Sequence, residues 1–338
     1  MNIYDIARQS GVSIATVSRV LNGSPNVSAK TREKVKSVME KEEYIPNVFA
    51  RGLGLNSMKM IGILCTDVSD TFYAKAVSLM EGRLRKYGFD ILLSCTGINL
   101  EDKKKALGLL LQKRVDAVLL IGSPFKEALD NSHIESAAKQ VPVVIINGLV
   151  ELPNVYCVLC DERDAIYRNI KLLHAQGHNR ILYLYDTLTF SGYQKIAGYR
   201  AGMQECDITV DENLLVRVEK DISVIETKVS RLISQGLDFS AVMAAEDLIA
   251  IGAQKALQKA GKDCPIIGFN NSIIAQCASP ALTSIDNMLE TLCPTAVNHL
   301  VNLINGRVVP QKSVISSRLV ERDTFHINNT KLSKESSL

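Results

Sequence analysis

Ser13-Ile14-Ala15-Thr16-Val17-Ser18-Arg19-Val20-Leu21-Asn22 is the stretch on which the reading turns. At about 100° per residue, Ile14, Ala15, Ser18, Arg19 and Asn22 fall within an arc of about 140°. Val17, Val20 and Leu21 fall outside that arc. One face is built to pack, and the other presents small, polar and basic groups. A helix that enters the DNA major groove needs that division. Small Ala15 allows close approach. Ser13, Thr16, Ser18 and Asn22 carry groups that bind phosphate, which positions a protein without specifying sequence. Arg19 suits a bidentate guanine contact, and Ile14 offers apolar contact to a thymine methyl. An ordinary solvated surface helix is the alternative.

Two further stripes flank this one. Ile3, Ile6 and Ala7 repeat at helical spacing, and so do Val35, Val38 and Met39. Gly11 separates the first helix from the second, and Asn22-Gly23-Ser24-Pro25 separates the second from the third. Ser13 and Ser28 stand where N-caps belong. Three narrow stripes predict a minimal three-helix core.

The chain has 338 residues, enough for two core-forming units beside this head. Its 46% hydrophobic and 22% charged content is that of a soluble globular protein. No apolar run reaches the ~18 residues of a membrane helix. The first apolar stretch contains Asp5 and Arg8, unlike a signal peptide. Together with eight scattered cysteines this predicts a cytoplasmic chain with reduced thiols. Residues 1–59 hold nine Lys/Arg against five acids, while the whole chain carries only +3. The positive excess therefore lies at the N-terminus, as contact with phosphates requires.

Tyr4-Asp5-Ile6-Ala7, Gly11-Val12-Ser13, Ala15 to Asn22, Val27-Ser28, Thr31-Arg32-Glu33-Lys34-Val35 and Tyr44-Ile45-Pro46-Asn47 resemble the head of the LacI/GalR family of bacterial transcription regulators. The resemblance is nearly continuous over residues 2–53. It implies that Ile14, Ala15 and Arg19 read operator bases, and that Tyr4, Thr16, Ser18, Asn22, Ser28 and Thr31 hold the DNA backbone. Pro46 ends the third helix, and Asn47 to Leu55 follow with two glycines. Similar segments in the family form hinge helices in the minor groove. By that resemblance Leu53 is the wedge between base steps, Ala50 permits close approach, and Asn47 belongs to the same DNA-contacting segment. A plain linker is the alternative.

From Met60 onward strand-like runs alternate with helical ones. The runs are Ile61–Cys65, Asp90–Cys95, Ala117–Ile121, Val143–Asn147, Arg180–Tyr185, Ala241–Ala244 and Pro265–Gly268, with a further strand near Val314–Val320. This predicts an α/β fold of parallel sheets covered on both faces. It resembles the family's periplasmic-binding-protein-like core of two doubly wound lobes, with a ligand cleft at the strand C-termini. The expected boundaries are a head at 1–45, a hinge at 46–59, a core at 60–327 and a polar tail at 328–338. Lobe 1 takes 60–160 and 288–312; lobe 2 takes 161–287 and 313–327. The tail lacks leucine heptads, so a homodimer is expected.

Strand ends and family position nominate Asp67, Phe72, Tyr73, Asn147, Lys195, Glu246, Asn270 and Asn287 as effector-binding residues. The aromatic pair could stack on a ring or merely pack. Sugar-binding relatives carry Asp, Arg, Asn and Asp where this chain has Asn147, Lys195, Glu246 and Asn270. A Lys does not replace an Arg fork on adjacent hydroxyls. Glu246 is expected to meet a cationic group or to pair with Lys195.

No phosphate loop or nucleophile elbow follows any predicted strand. Cys157 and Cys160 lie three apart on a strand and so point to opposite faces, which disfavours a shared zinc. No metal, cofactor or catalytic residue is expected. The reading is a dimeric repressor on a pseudo-palindromic double-stranded DNA operator, controlled by a small polar, carbohydrate-like effector. The alternatives are an activator or effector-independent regulator of the same fold, and an α/β enzyme on a small metabolite.

Overall fold

The computed structural model describes residues 2–21, 23–44 and 57–327. The head is three helices: α1 (Ile3–Ser10), α2 (Ile14–Leu21) and α3 (Ala29–Lys41). Asn2 caps α1 in a reciprocal box with Asp5, a signal the sequence reading passed over. Gly11 ends α1 at φ +61°, the left-handed conformation that glycine adopts without a Cβ penalty. Ile6, Ala7, Val17, Val20 and Val35 close the small core.

The first lobe is a six-stranded, wholly parallel sheet in the order β11-β5-β4-β3-β1-β2. Its strands are β1 (Met60–Cys65), β2 (Asp90–Cys95), β3 (Ala117–Ile121), β4 (Val143–Ile146), β5 (Val155–Cys160) and β11 (Lys312–Ile315). Its helices include α4 (Thr71–Lys86), α5 (Leu100–Gln112), α6 (Ser132–Ala138) and α12 (Leu289–Ile304). All five residues of β3 are buried. Ala117, Leu119 and Ile121 enter one cluster while Val118 and Leu120 enter another. A strand covered on both faces must be apolar throughout, which is why β3 reads as a run rather than an alternation. Cys157 and Cys160 divide between the same two clusters, as three-residue spacing on a strand requires.

The second lobe repeats the plan in the order β12-β10-β9-β8-β6-β7, parallel except for the β10–β12 edge. Its strands are β6 (Ile181–Tyr185), β7 (Leu215–Arg217), β8 (Ala241–Ala244), β9 (Ile266–Phe269), β10 (Thr283–Asp286) and β12 (Arg318–Val320). Helices α7 (Glu162–Ala175), α8 (Phe190–Glu205), α9 (Ile222–Ser234), α10 (Asp247–Ala260) and the short α11 (Ile273–Cys277) accompany them.

The chain crosses between lobes three times, and the crossings are tied together. Asp161 N–H donates to the Ile315 carbonyl at 3.0 Å. Arg168 donates to the Ser317 carbonyl at 3.2 Å. Arg318 pairs with Asp286 at 3.2 Å. Three expectations are corrected here. The strand foreseen at Val314–Val320 is two strands in different sheets. Lys312–Ile315 follows Cys157–Cys160, so the last crossing falls at Ser316–Ser317 rather than after residue 312. Ser57 to Lys59 belong to the first lobe rather than to a hinge, because Asp116 accepts from Ser57 Oγ and from the Met58 and Met60 N–H groups at 3.0–3.1 Å. Strand Leu215–Arg217 was not foreseen, since three residues carry no readable period. The nominated tail lies outside the described residues.

Helices α7 and α8 pack at backbone contact. A Cβ on Gly198 would stand 2.2 Å from the Arg163 carbonyl oxygen. Gly198→Ala is expected to cost about 1–3 kcal/mol by overpacking. Gly82→Ala, in α4 with nothing within 4 Å, is expected to stabilise by about 0.5–1 kcal/mol. Urea denaturation of both variants checks the contrast; equal shifts would show that α7 and α8 separate freely.

Candidate functional site

On the head, α2 presents the division its sequence required. Val17 and Val20 are buried, while Ile14, Ala15 and Arg19 are exposed. Tyr4, on α1, is 65% exposed and so is free of the core. Ser13 Oγ accepts from the Thr16 N–H at 3.1 Å and lies 2.9 Å from the Thr16 hydroxyl. Ser28 and Thr31 repeat the motif at α3, with distances of 3.2 and 2.8 Å. Two helix N-termini therefore carry the same pair of hydroxyls, beside backbone N–H groups that favour anions. Arg32 holds the intervening turn by donating to the Ser24 carbonyl at 2.6 Å. Ser18 is half-buried. Asn22, Asn47, Ala50 and Leu53 lie outside the described residues.

Between the lobes the C-terminal ends of β1, β3, β4, β6, β8 and β9 converge on a cavity of about 270 Å³. Seven of the eight nominated residues line it: Asp67, Phe72, Tyr73, Asn147, Lys195, Glu246 and Asn270. Phe72 and Tyr73 meet edge to face, centroids 5.2 Å apart at 83°. Tyr73 lies over Gly122, where a Cβ would come within 2.8 Å of its ring, and Gly122 has φ +102°. Burial pushes the Tyr73 hydroxyl above the ordinary phenol range, against the pull of its hydrogen bond with Thr66.

Asn147 Oδ1 accepts from the Cys160 N–H at 2.7 Å. Asn270 Oδ1 accepts from Asn287 Nδ2 at 2.8 Å. Both asparagines have positive φ, 54° and 101°. Asn287 itself is 1% exposed and does not line the cavity. Its place behind Asn270, with its own Oδ1 accepting from the Leu289 N–H at 3.3 Å, makes it a positioning residue at a crossing. Asp67 is already engaged, accepting from the Ser69 N–H and hydroxyl at 2.8 Å each. The N–H contact is the chief reason its carboxyl lies below the usual range.

The expected Glu246–Lys195 pair does not form. Lys195 is buried and satisfied elsewhere: its Nζ donates to the Ala245 carbonyl at 3.0 Å, lies 4.0 Å from the Phe269 ring centroid and 3.5 Å from Glu162. Glu162 also accepts from Ser191 Oγ at 2.6 Å. Glu246 meets a different cation, Lys220, which Asp70 also binds at 2.6 Å. Burial works against the Lys220 ammonium, but Glu246 and Asp70 outweigh it and raise its pKa. Glu246 is raised too, by burial first, with Lys220 pulling it back and Asp186 adding repulsion. The carboxylates set the direction for Lys220, whereas burial sets it for Glu246.

Sequence reasoning missed Lys220, Asp70, Glu162, Asp186 and Ser123. Lys220 follows the three-residue β7. Glu162 opens α7 directly after β5, a signal that was present and went unused. Ser123 donates across the lobes to Thr189 Oγ1 at 2.8 Å. Among the described residues no cluster of three His, Cys, Asp or Glu could hold a metal ion.

A helix-turn-helix head with an exposed reading face, joined to a two-lobed sensor with a polar cleft, defines a class of gene regulator. Residues 2–47 match the model of bacterial regulatory proteins of the lacI family. Residues 58–323 match that of periplasmic binding proteins and the sugar-binding domain of the LacI family. The chain belongs to the LacI family and is a DNA-binding transcriptional regulator, not an enzyme. It is 49% identical over 330 residues to an HTH-type transcriptional regulator of Lachnoclostridium phytofermentans, covering 96% of this chain and 99% of the relative. It is 31% identical to the regulator GalR of Escherichia coli, covering 95% and 94%. The Lac repressor dimer bound to operator and the anti-inducer ONPF superposes with a TM-score of 0.85 at 26% identity, covering 96% and 98%. A CelR–cellobiose complex superposes at 0.71 and 25%, covering 96% and 100%.

Glu162→Gln would leave Lys195 buried beside an uncharged amide. It is expected to cost about 3–5 kcal/mol, and adding Lys195→Met should return much of that loss. Chemical denaturation of the two singles and the double checks this; additive losses would show that the two charges are uncoupled.

Proposed function

We propose that the chain is a cytoplasmic homodimeric repressor whose affinity for a pseudo-palindromic operator is set by a small polar effector in the interlobe cleft. One observation carries the DNA side: α2 exposes Ile14, Ala15 and Arg19 while Val17 and Val20 anchor it. Arg19 reads guanine, Ile14 and Ala15 lie against base edges, and Tyr4, Thr16, Ser18, Ser28 and Thr31 hold phosphates. Ser13 acts chiefly as the cap that orients α2. Asn22, Asn47, Ala50 and Leu53 complete the interface by family position. A C2 dimer places two heads on two half-sites, in keeping with the Lac repressor dimer whose fold the chain shares. No helix among the described residues is long and apolar enough to cross a membrane.

The effector side rests on the cavity. Its wall offers an aromatic pair, two asparagine amides and several carboxylates, a set that suits a hydroxylated ring with hydrogen-bond donors. The carboxylate surplus distinguishes it from a clasp built around arginine. The effector shifts lobe closure, and the coupling is reciprocal: operator changes effector affinity by the factor by which effector changes operator affinity.

The test begins with selection of operator sequences from random duplex by the full-length protein. Arg19→Ala is expected to lose about 1–3 kcal/mol at one base position, and much less on random duplex. Equal loss on both would remove Arg19 from base reading. No enriched sequence for the unaltered protein would refute specific binding.

A further inference from the structure

The interlobe space is two chambers. Beside the inner cavity lies a second of about 280 Å³, and the two share Asp67, Asp70, Lys220, Glu246 and Asn270. The side chain between them is Lys220. Its ammonium joins Asp70 of the first lobe, at 2.6 Å, to Glu246 of the second. Both acids are committed to this contact. Asp70 uses one oxygen to cap α4, accepting from the Phe72 N–H at 2.8 Å, and the other to hold Lys220. Glu246 occupies the N-cap position of α10 but makes no side-chain cap bond, so its carboxylate is spent on Lys220 rather than on the helix. Although the Lys220 side chain keeps 32% of its surface exposed, an ammonium shared by two carboxylates is held by charge-assisted bonds that a neutral hydroxyl does not match.

We propose that Lys220 determines the size of ligand the cleft accepts, by walling off the inner chamber with a bridge between the lobes. This rests on the reading that the cleft binds a polar effector. Each chamber alone is near the lower end of the range of small-molecule sites, and joined they offer room for a larger ligand. The inner chamber, with Phe72, Tyr73, Asn147 and Asn270 on its wall, takes a one-ring ligand. A two-ring ligand has to cross the plane that the ammonium occupies.

The test uses the full-length protein, its Lys220→Ala variant and Lys220→Arg, which keeps the charge. Hydrogen exchange without ligand reads the wall directly. Amides around Phe72 and Asp247 are expected to exchange at least tenfold faster in Lys220→Ala and near the unaltered rate in Lys220→Arg. Unchanged exchange in Lys220→Ala overturns the proposal. Thermal shift and calorimetry then compare a panel of one-ring probes (hexoses, pentoses, amino sugars, nucleosides) with disaccharides. The unaltered protein is expected to bind a one-ring probe and reject its disaccharide. Lys220→Ala is expected to raise the ratio of disaccharide to one-ring affinity at least tenfold over that of the unaltered protein. One-ring binding with no disaccharide gain, or disaccharide binding by the unaltered protein, overturns the role of Lys220 while leaving the cleft reading intact. Failure of every probe on all three proteins overturns the cleft reading and this inference with it.

Discussion

Most polar side chains of the cleft lie beyond the strands, at their C-terminal ends or on the adjoining helices, because the central strands are packed on both faces. Both sheets are covered on both faces, and an unpaired polar group inside them would stand stripped of water. The wholly buried β3 and β8 accordingly carry only apolar side chains. The first polar positions available are those just beyond the C-terminal ends: Thr66 and Asp67 after β1, Asn147 after β4, Glu246 after β8 and Asn270 after β9. Two such sheets facing each other make a polar cleft without further design. The three bonded crossings hold the two rows of ends opposite each other.

Within that frame charge decides the details. The cavity has more carboxylates than ammonium groups, and each lysine is assigned. Lys195 is fixed by a carbonyl, a ring and Glu162, all within the second lobe. Lys220 serves the gap between lobes. A pair of acids sharing one lysine across a cleft makes closure sensitive to anything that competes for either carboxylate, which is a natural point for an effector to act.

The head obeys a different economy. Its core is five buried side chains, too few to hold a large structure, so local devices carry much of the work. The Asn2–Asp5 box, the Ser13–Thr16 and Ser28–Thr31 pairs and the left-handed Gly11 fix four helix ends. The same devices leave Ile14, Ala15 and Arg19 exposed on the outer face of α2.

Sequence alone determined the head and the layer plan, because both are written in short-range patterns. The two-sided period of residues 14–22, the caps at Ser13 and Ser28, and the alternation of apolar runs with helical stripes need no knowledge of distant contacts. Together with family position it also brought seven of eight nominated residues to the cavity, since strand ends are visible as the point where an apolar run stops. Partnership was left to the tertiary structure. Glu246 and Lys195 lie on neighbouring elements, yet their ions pair with Lys220 and Glu162, and nothing in their spacing says so. Asn287 ends a strand like the others but falls behind Asn270. Val314 and Val320 look like one strand until pairing assigns them to different sheets. A side chain's neighbours across a fold depend on register and crossing geometry, which are set by the packing of whole elements.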